Sequence, residues 1–257
     1  MDGNRIYHIA YFGNSPYVAE MLNSIKNIEV KAVFYQPSKI LSQDFEALQK
    51  KDEEVKCYSV RDKVELKDLA YNYYGTIDFV IMYNFGVIIP QEIIDNIFVF
   101  NFHPGDLRVN RGSSPINWAI LLGWAKTKMS LYKISAEIDL GDLIAEHDCK
   151  IYPCDTPGTL RCRIEGEIPS MMLEILEYLE GRRKSTLIND GVYRKRIVEE
   201  DYTINPDTDS DNIINAKIKS QNDYKGAIIW KNGYKYYVKN IDEYNKLLHS
   251  MREELGK

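Results

Sequence analysis

The chain has 257 residues, 44% of them hydrophobic and 28% charged, enough to bury one full domain core and leave material for a smaller second unit. That balance excludes a disordered or fibrous class. No stretch approaches the roughly 18 apolar residues that a membrane span needs, and a net charge of −5 argues against a broad nucleic-acid surface. The start, Met1 to Arg5, runs directly into a strand-like segment without an apolar signal region, so the expected location is the cytoplasm. Cys57, Cys149, Cys154 and Cys162 show no C-x-x-C spacing and read as free thiols.

Residues 5–12 are rich in β-formers and end at Gly13-Asn14-Ser15-Pro16, after which Tyr17, Val18, Met21, Leu22 and Ile25 recur at helical spacing. Val30 to Tyr35 reads as a second strand, Asp62 to Tyr74 as a helix, and Ile77 to Tyr83 as an apolar strand after the Gly75 stop. A short helix from Pro90 to Asn96, the strand Phe98 to His103 and a helix from Pro115 to about Leu122 follow, Pro115 suiting a first helical turn. Strand-like segments at Met129–Ile134 and Leu143–Ile151 come next, and Pro169 opens an apolar helix stopped at Gly181. The alternation predicts an α/β, Rossmann-like, mostly parallel sheet with helices on both faces.

Beyond Gly181-Arg182-Arg183-Lys184 the character changes. Asn205-Pro206-Asp207 is turn chemistry, a short helix is expected around Asn212–Lys219, and Ala227–Trp230 and Tyr234–Val238 flank Asn232-Gly233, a hairpin signal because both turn residues tolerate positive φ. The expected organisation is a main domain over 1–189 and a small C-terminal α+β subdomain with a β-hairpin over 190–257.

Alternation along Phe98–His103 puts Asn101 and His103 on one strand face, and Pro104 ends the strand. Two polar side chains therefore emerge together at a carboxyl end, where open α/β sheets bind ligands. By itself the pair equally satisfies loop backbone groups. Downstream stand Arg111-Gly112-Ser113-Ser114-Pro115, then Gly123, then Ile138-Asp139-Leu140-Gly141-Asp142-Leu143-Ile144.

With these residues the chain resembles the 10-formyltetrahydrofolate-dependent formyltransferases. Their pattern is an Asn-x-His at a strand end, an Arg-Gly-x-x-Pro helix start, a Gly-containing exit and an Asp-x-Gly-x-Ile loop carrying a third catalytic residue. The likeness extends to Phe12-Gly13-Asn14-Ser15-Pro16 and to Asp78–Ile81 followed by Phe85–Pro90. Two places depart from it: Gly105-Asp106-Leu107-Arg108 where the family carries Ser-Leu-Leu-Pro, and Lys128 where it carries Gly.

The resemblance implies Asn101, His103 and Asp139 as the catalytic trio. Asn101 would donate to the formyl oxygen, and His103 would polarise that oxygen or handle the amine proton. Asp139 would orient the imidazole or act as base, and which of His103 and Asp139 takes the proton stays open. The same resemblance implies 10-formyltetrahydrofolate as formyl donor, held by Phe85, Gly86, Val87, Ile88 and Ile89 and by Ala136, Glu137 and Ile138, with no metal.

The acceptor is read from the ends of the chain. Gly13-Asn14-Ser15-Pro16-Tyr17 lacks the glycine density of a purine-type phosphate loop, and the tail is smaller and less basic than that of a tRNA enzyme. Arg196, Asp201, Ile204, the 212–219 stretch and Tyr224-Lys225-Gly226-Ala227 resemble the tail of sugar-nucleotide N-formyltransferases of lipopolysaccharide O-antigen and other surface polysaccharide synthesis. A nucleotide-linked amino sugar is therefore the expected substrate, with Asn14 near the sugar and Arg111 or Lys219 near the phosphates. The alternative is a methionyl-tRNA formyltransferase. No nucleic-acid or membrane partner is expected, and family habit makes a homodimer the expected assembly. An oxidoreductase is opposed by the lack of G-x-G-x-x-G after the first strand.

Overall fold

The computed structural model describes residues 5–135 and 141–255. In chain order the elements are β1 (Tyr7–Gly13), α1 (Pro16–Asn23), β2 (Ile28–Tyr35), α2 (Lys39–Lys51), β3 (Lys56–Ser59), α3 (Lys63–Ala70), β4 (Phe79–Tyr83), α4 (Gln91–Asn96) and β5 (Val99–His103). Then come β6 (Arg111–Gly112), α5 (Pro115–Leu121), β7 (Lys126–Ile134), β8 (Gly141–Lys150), α6 (Pro157–Glu165), α7 (Ile168–Leu179) and β9 (Thr186–Ile188). The tail holds β10 (Tyr193–Arg194), α8 (Glu199–Tyr202), β11 (Thr203–Ile204), α9 (Asp211–Ser220), β12 (Ala227–Lys231), β13 (Tyr234–Val238) and α10 (Ile241–Leu255). No helix among the described residues is long and apolar enough to cross a membrane.

Two compact units divide the chain: 1–103 with 130–146 and 167–190, and 104–129 with 147–166 and 191–257. In the first, the main sheet runs β3-β2-β1-β4-β5-β7-β8-β9, with β3, β2, β1, β4 and β5 parallel and β7 antiparallel to β5. The chain winds outward from β1 to β3 on one side and from β4 to β5 on the other, so the order reverses between β1 and β4. The strands form because Val, Ile and Phe fill both faces of a pleated ribbon. On one face Val80 and Val99 pack with Leu66 and Ala70 of α3 and Ile93 of α4. On the other, Phe100 meets Phe79 and the Tyr178 ring of α7, with centroids 5.6 and 6.0 Å away.

Helix starts follow local chemistry. Ser15, Ser38 and Asp62 each accept a backbone N–H of the first turn of α1, α2 and α3. The expected helix over 62–74 stops at Ala70 and finishes as one 3-10 turn over Tyr71–Tyr73. Its last aromatics turn inward there: Tyr73 stacks edge-on to Phe34, and its hydroxyl meets that of Tyr58 at 2.8 Å.

In the second unit, Ile204, Ile214, Ile218, Ala227, Ile229 and Val238 form a core closed by Tyr244 of α10. The Asn232-Gly233 turn has φ of 51° and 79°, as the hairpin reading requires. The tail does not stand alone as a 190–257 body, since 104–129 and 147–166 cluster with it. Asn117 of α5 donates to the Ser220 carbonyl at 2.8 Å, Trp118 Nε1 to Lys195 O at 2.9 Å, and Arg111 Nη2 to Gly191 O at 2.9 Å. The first of these satisfies buried polar groups that neither segment could satisfy by itself.

Candidate active site

β5 delivers Asn101 and His103 to one face near its carboxyl end, and both are buried, at 6% and 4% exposure. The antiparallel register of β7 sets Tyr132 opposite Asn101 and Ser130 opposite His103. Asn101 Nδ2 donates to the Tyr132 hydroxyl at 2.8 Å. Four polar side chains thus form a two-by-two patch on one face of the strand pair. Tyr132 was absent from the sequence-based set, because only strand pairing brings it beside Asn101.

One step further along the same face lie Val99 and Ile134, which line a cavity of about 350 Å³. Ile94, Ile97 and Phe98 add apolar wall, Gln91 and Ser135 add polar groups, and Lys133 and Asp142, 3.1 Å apart, add an ion pair. That size and lining suit a bicyclic organic ring. Ser135 and Gly141 also lie at its edge, on either side of residues 136–140. Asp139, Ala136, Glu137 and Ile138 fall outside the described residues.

The loop after β4 is split in its burial. Val87 is buried, Phe85 and Ile89 pack against the same core cluster, and Ile88 is 65% exposed. Phe85 sits 5.7 Å from the Phe12 ring at the end of β1. Asn14, expected beside a sugar, has its carboxamide engaged within the protein: Oδ1 accepts Gln36 N–H at 2.8 Å, and Nδ2 donates to Gln36 Oε1 at 2.8 Å and Asn84 O at 2.9 Å.

In the second unit, Arg111 is pinned through Gly191, while its Nε is buried with no hydrogen-bond partner among the described residues. Lys219 is half-buried near the end of α9. The two departures from the family pattern explain each other. Asp106 lies 3.1 Å from Arg108 Nε and 3.8 Å from Lys128 Nζ, so the acid introduced after Gly105 is balanced by both unusual cations.

A formyl transferase family model matches residues 8–176. The chain belongs to the formyl transferase family. This family member is 28% identical over 178 residues to the methionyl-tRNA formyltransferase of Blochmanniella pennsylvanica (strain BPEN), a match taking in 66% of this chain and 55% of that protein. It spans about half the length of several such curated relatives. Its fold matches a sugar N-formyltransferase from Shewanella sp FDAARGOS_354 with a TM-score of 0.70 at 16% identity, over 91% of this chain and 97% of that one. It also matches HypX from Aquifex aeolicus in complex with tetrahydrofolic acid, with a TM-score of 0.69 at 18% identity, over 92% and 38% of the two chains. At those identities the likeness is one of fold.

Proposed function

We propose that this chain transfers a formyl group from 10-formyltetrahydrofolate to the amine of a nucleotide-linked amino sugar. The observation that carries the reading is the buried Asn101 and His103 pair at a carboxyl strand end, on the face that continues into the Val99 and Ile134 cavity, in a chain of the formyl transferase family. An apolar slot beside two polar catalytic groups fits a pteridine held next to its reactive nitrogen, and HypX offers a folate-bound example of the fold.

The donor supplies an activated formyl group. Asn101 presents an amide N–H to the formyl oxygen as the acceptor nitrogen adds to the carbon and negative charge builds on that oxygen. His103 polarises the same oxygen or receives the ammonium proton, and Asp139 supplies the companion carboxylate. The bond from formyl carbon to the donor nitrogen then breaks, and that nitrogen collects a proton, so atoms and charge balance. Burial of Asn101 and His103 excludes water, which would otherwise compete as nucleophile.

For the acceptor, residues 190–257 carry 12 acidic and 12 basic side chains, a neutral tail ill-suited to a phosphate backbone. Arg111, whose buried Nε has no hydrogen-bond partner among the described residues, and Lys219 are the proposed diphosphate contacts. A tRNA acceptor is the second reading, favoured by the names of the curated sequence relatives. Supplying 10-formyltetrahydrofolate with a panel of sugar nucleotides, and initiator methionyl-tRNA beside them, and following tetrahydrofolate release separates the two. Turnover with the tRNA and with no sugar nucleotide overturns the sugar assignment.

A further inference from the structure

Asn14, Gln36, Asn84 and Gly86 lie just past the carboxyl ends of β1, β2 and β4, at the point where the strand order reverses. In open α/β sheets that crevice is the ligand-binding position. The hydrogen bonds fix which way the Gln36 carboxamide faces. Its Oε1 accepts from Asn14 Nδ2 at 2.8 Å and from the Gly86 backbone N–H at 2.8 Å. A backbone N–H can only donate, so the oxygen must occupy this side and the nitrogen the other.

Asn14 is oriented just as firmly. Its Oδ1 takes the Gln36 backbone N–H, which commits its Nδ2 to Gln36 Oε1 and the Asn84 carbonyl. The absence of a side chain at position 86 is part of the arrangement, since a Cβ there would come within 2.7 Å of Gln36 Oε1. Holding the 84–86 loop needs only the oxygen of Gln36. Its Nε2, in a half-buried side chain, donates to no group among the described residues. Two N–H donors are therefore aimed by a rigid frame and left unspent.

We propose that Gln36 is a specificity-determining residue that donates from Nε2 to an oxygen of the amine-bearing substrate, with Asn14 as the positioning residue that holds it. The substrate oxygen is a hydroxyl or phosphate oxygen, either of which accepts from an amide N–H. Asn14 thus acts on the acceptor through Gln36. The inference deepens the formyl-transfer reading and rests on it.

Gln36→Glu tests it, because a carboxylate still offers one oxygen to Gly86 N–H and Asn14 Nδ2 but replaces the free donors with a second acceptor. Gln36→Met removes the donors without adding charge. Steady-state kinetics with 10-formyltetrahydrofolate and the acceptor that the unaltered protein uses best should show acceptor KM raised on the order of tenfold in both variants. Donor KM and Tm should stay unchanged in Gln36→Glu, which keeps an oxygen for Gly86 N–H, whereas Gln36→Met loses that bond too and should lower Tm. Asn14→Asp, which keeps the Oδ1 acceptor and loses the Nδ2 donor, should raise acceptor KM by a few-fold. Acceptor KM within twofold of the original in both Gln36 variants, or equal rises in donor and acceptor KM in Gln36→Glu, overturns the proposal and leaves Gln36 as a loop staple. If that best acceptor is the tRNA, the sugar reading falls while the Gln36 comparison is made on the tRNA.

Discussion

In the proposed reaction Asn101 has one carboxamide with which to meet both Tyr132 and a developing oxyanion. One N–H of Nδ2 is held by the Tyr132 hydroxyl at 2.8 Å, in a setting where both residues are buried. The second N–H is thereby set at a fixed angle before substrate arrives, which is what preorganised stabilisation requires. Tyr132→Phe keeps the ring and removes the acceptor. We expect kcat to fall about tenfold, as for one mis-set hydrogen bond, with both KM values little changed. An equal rise in KM would assign Tyr132 to binding instead. Asn101→Ala should cost on the order of 10²–10³ in kcat, and His103→Ala on the order of 10²–10⁴, with circular dichroism unaltered; retention of most activity in either removes that residue from the machinery. At this scale Asn101 and His103 were legible because alternation along one strand is a local rule. Tyr132 was not, because its place depends on an antiparallel register with a strand 31 positions away.

Elements with strong local chemistry matched their sequence reading: the Ser15-Pro16 helix start, the Asn232-Gly233 hairpin and the apolar β4 and β5. α2 has no counterpart in it, and α6 none with bounds. In α2, Leu41, Phe45 and Leu48 do recur at i, i+4 and i+7, a stripe the sequence held but the reading passed over, whereas α6 buries Glu165 beside Leu160 and Ile164 and shows no clear stripe. α6 is instead fixed at its start by Thr156 and Thr159, which cap each other's backbone, and by Asp155, whose side chain is 2% exposed. Both Asp155 oxygens accept from Arg163 at 2.7 Å. That guanidinium, helped by Tyr152 N–H and the Thr159 hydroxyl, holds the carboxyl at about 2, below the ordinary 3.8. A carboxyl with a depressed folded pKa contributes stability that is fully present above about pH 4 and lost as pH falls toward 2. Arg163→Gln should therefore lower stability by about 2 kcal/mol at pH 7. The deficit should shrink as pH falls from 4 toward 2, as read by denaturant melts at pH 7 and pH 3. A deficit independent of pH would rule out the ion pair as its source. At the start of β8, Gly141 has φ of 147°, and a Cβ there would collide with the Lys133 carbonyl. Gly141→Ala should cost several kcal/mol, visible as a lowered Tm.

Across the whole molecule, the tail from Gly191 is needed by parts of the chain far from it in sequence. α5 buries Ile116, Asn117, Ala119 and Ile120, and α9 is its neighbour in the second unit. A chain cut after Asp190 would strip that cover and leave the Asn117 amide without the Ser220 carbonyl. We expect such a chain to lose near-ultraviolet circular dichroism and to bind a hydrophobic dye, as a packed core without its cover does. A cooperative melt and a native near-ultraviolet spectrum would show that the tail is dispensable.

The sequence by itself determined the strand and helix alternation, the hairpin turn and the pairing of Asn101 with His103 on one face, because each follows from spacing within a single element. Only the tertiary structure decided that Tyr132 backs Asn101, that Asp106 answers Arg108 and Lys128, and that Asn14 spends its amide on Gln36 rather than lying free for a ligand. Those contacts join residues from separate elements, and hydrogen-bond direction exists only once both partners are in place.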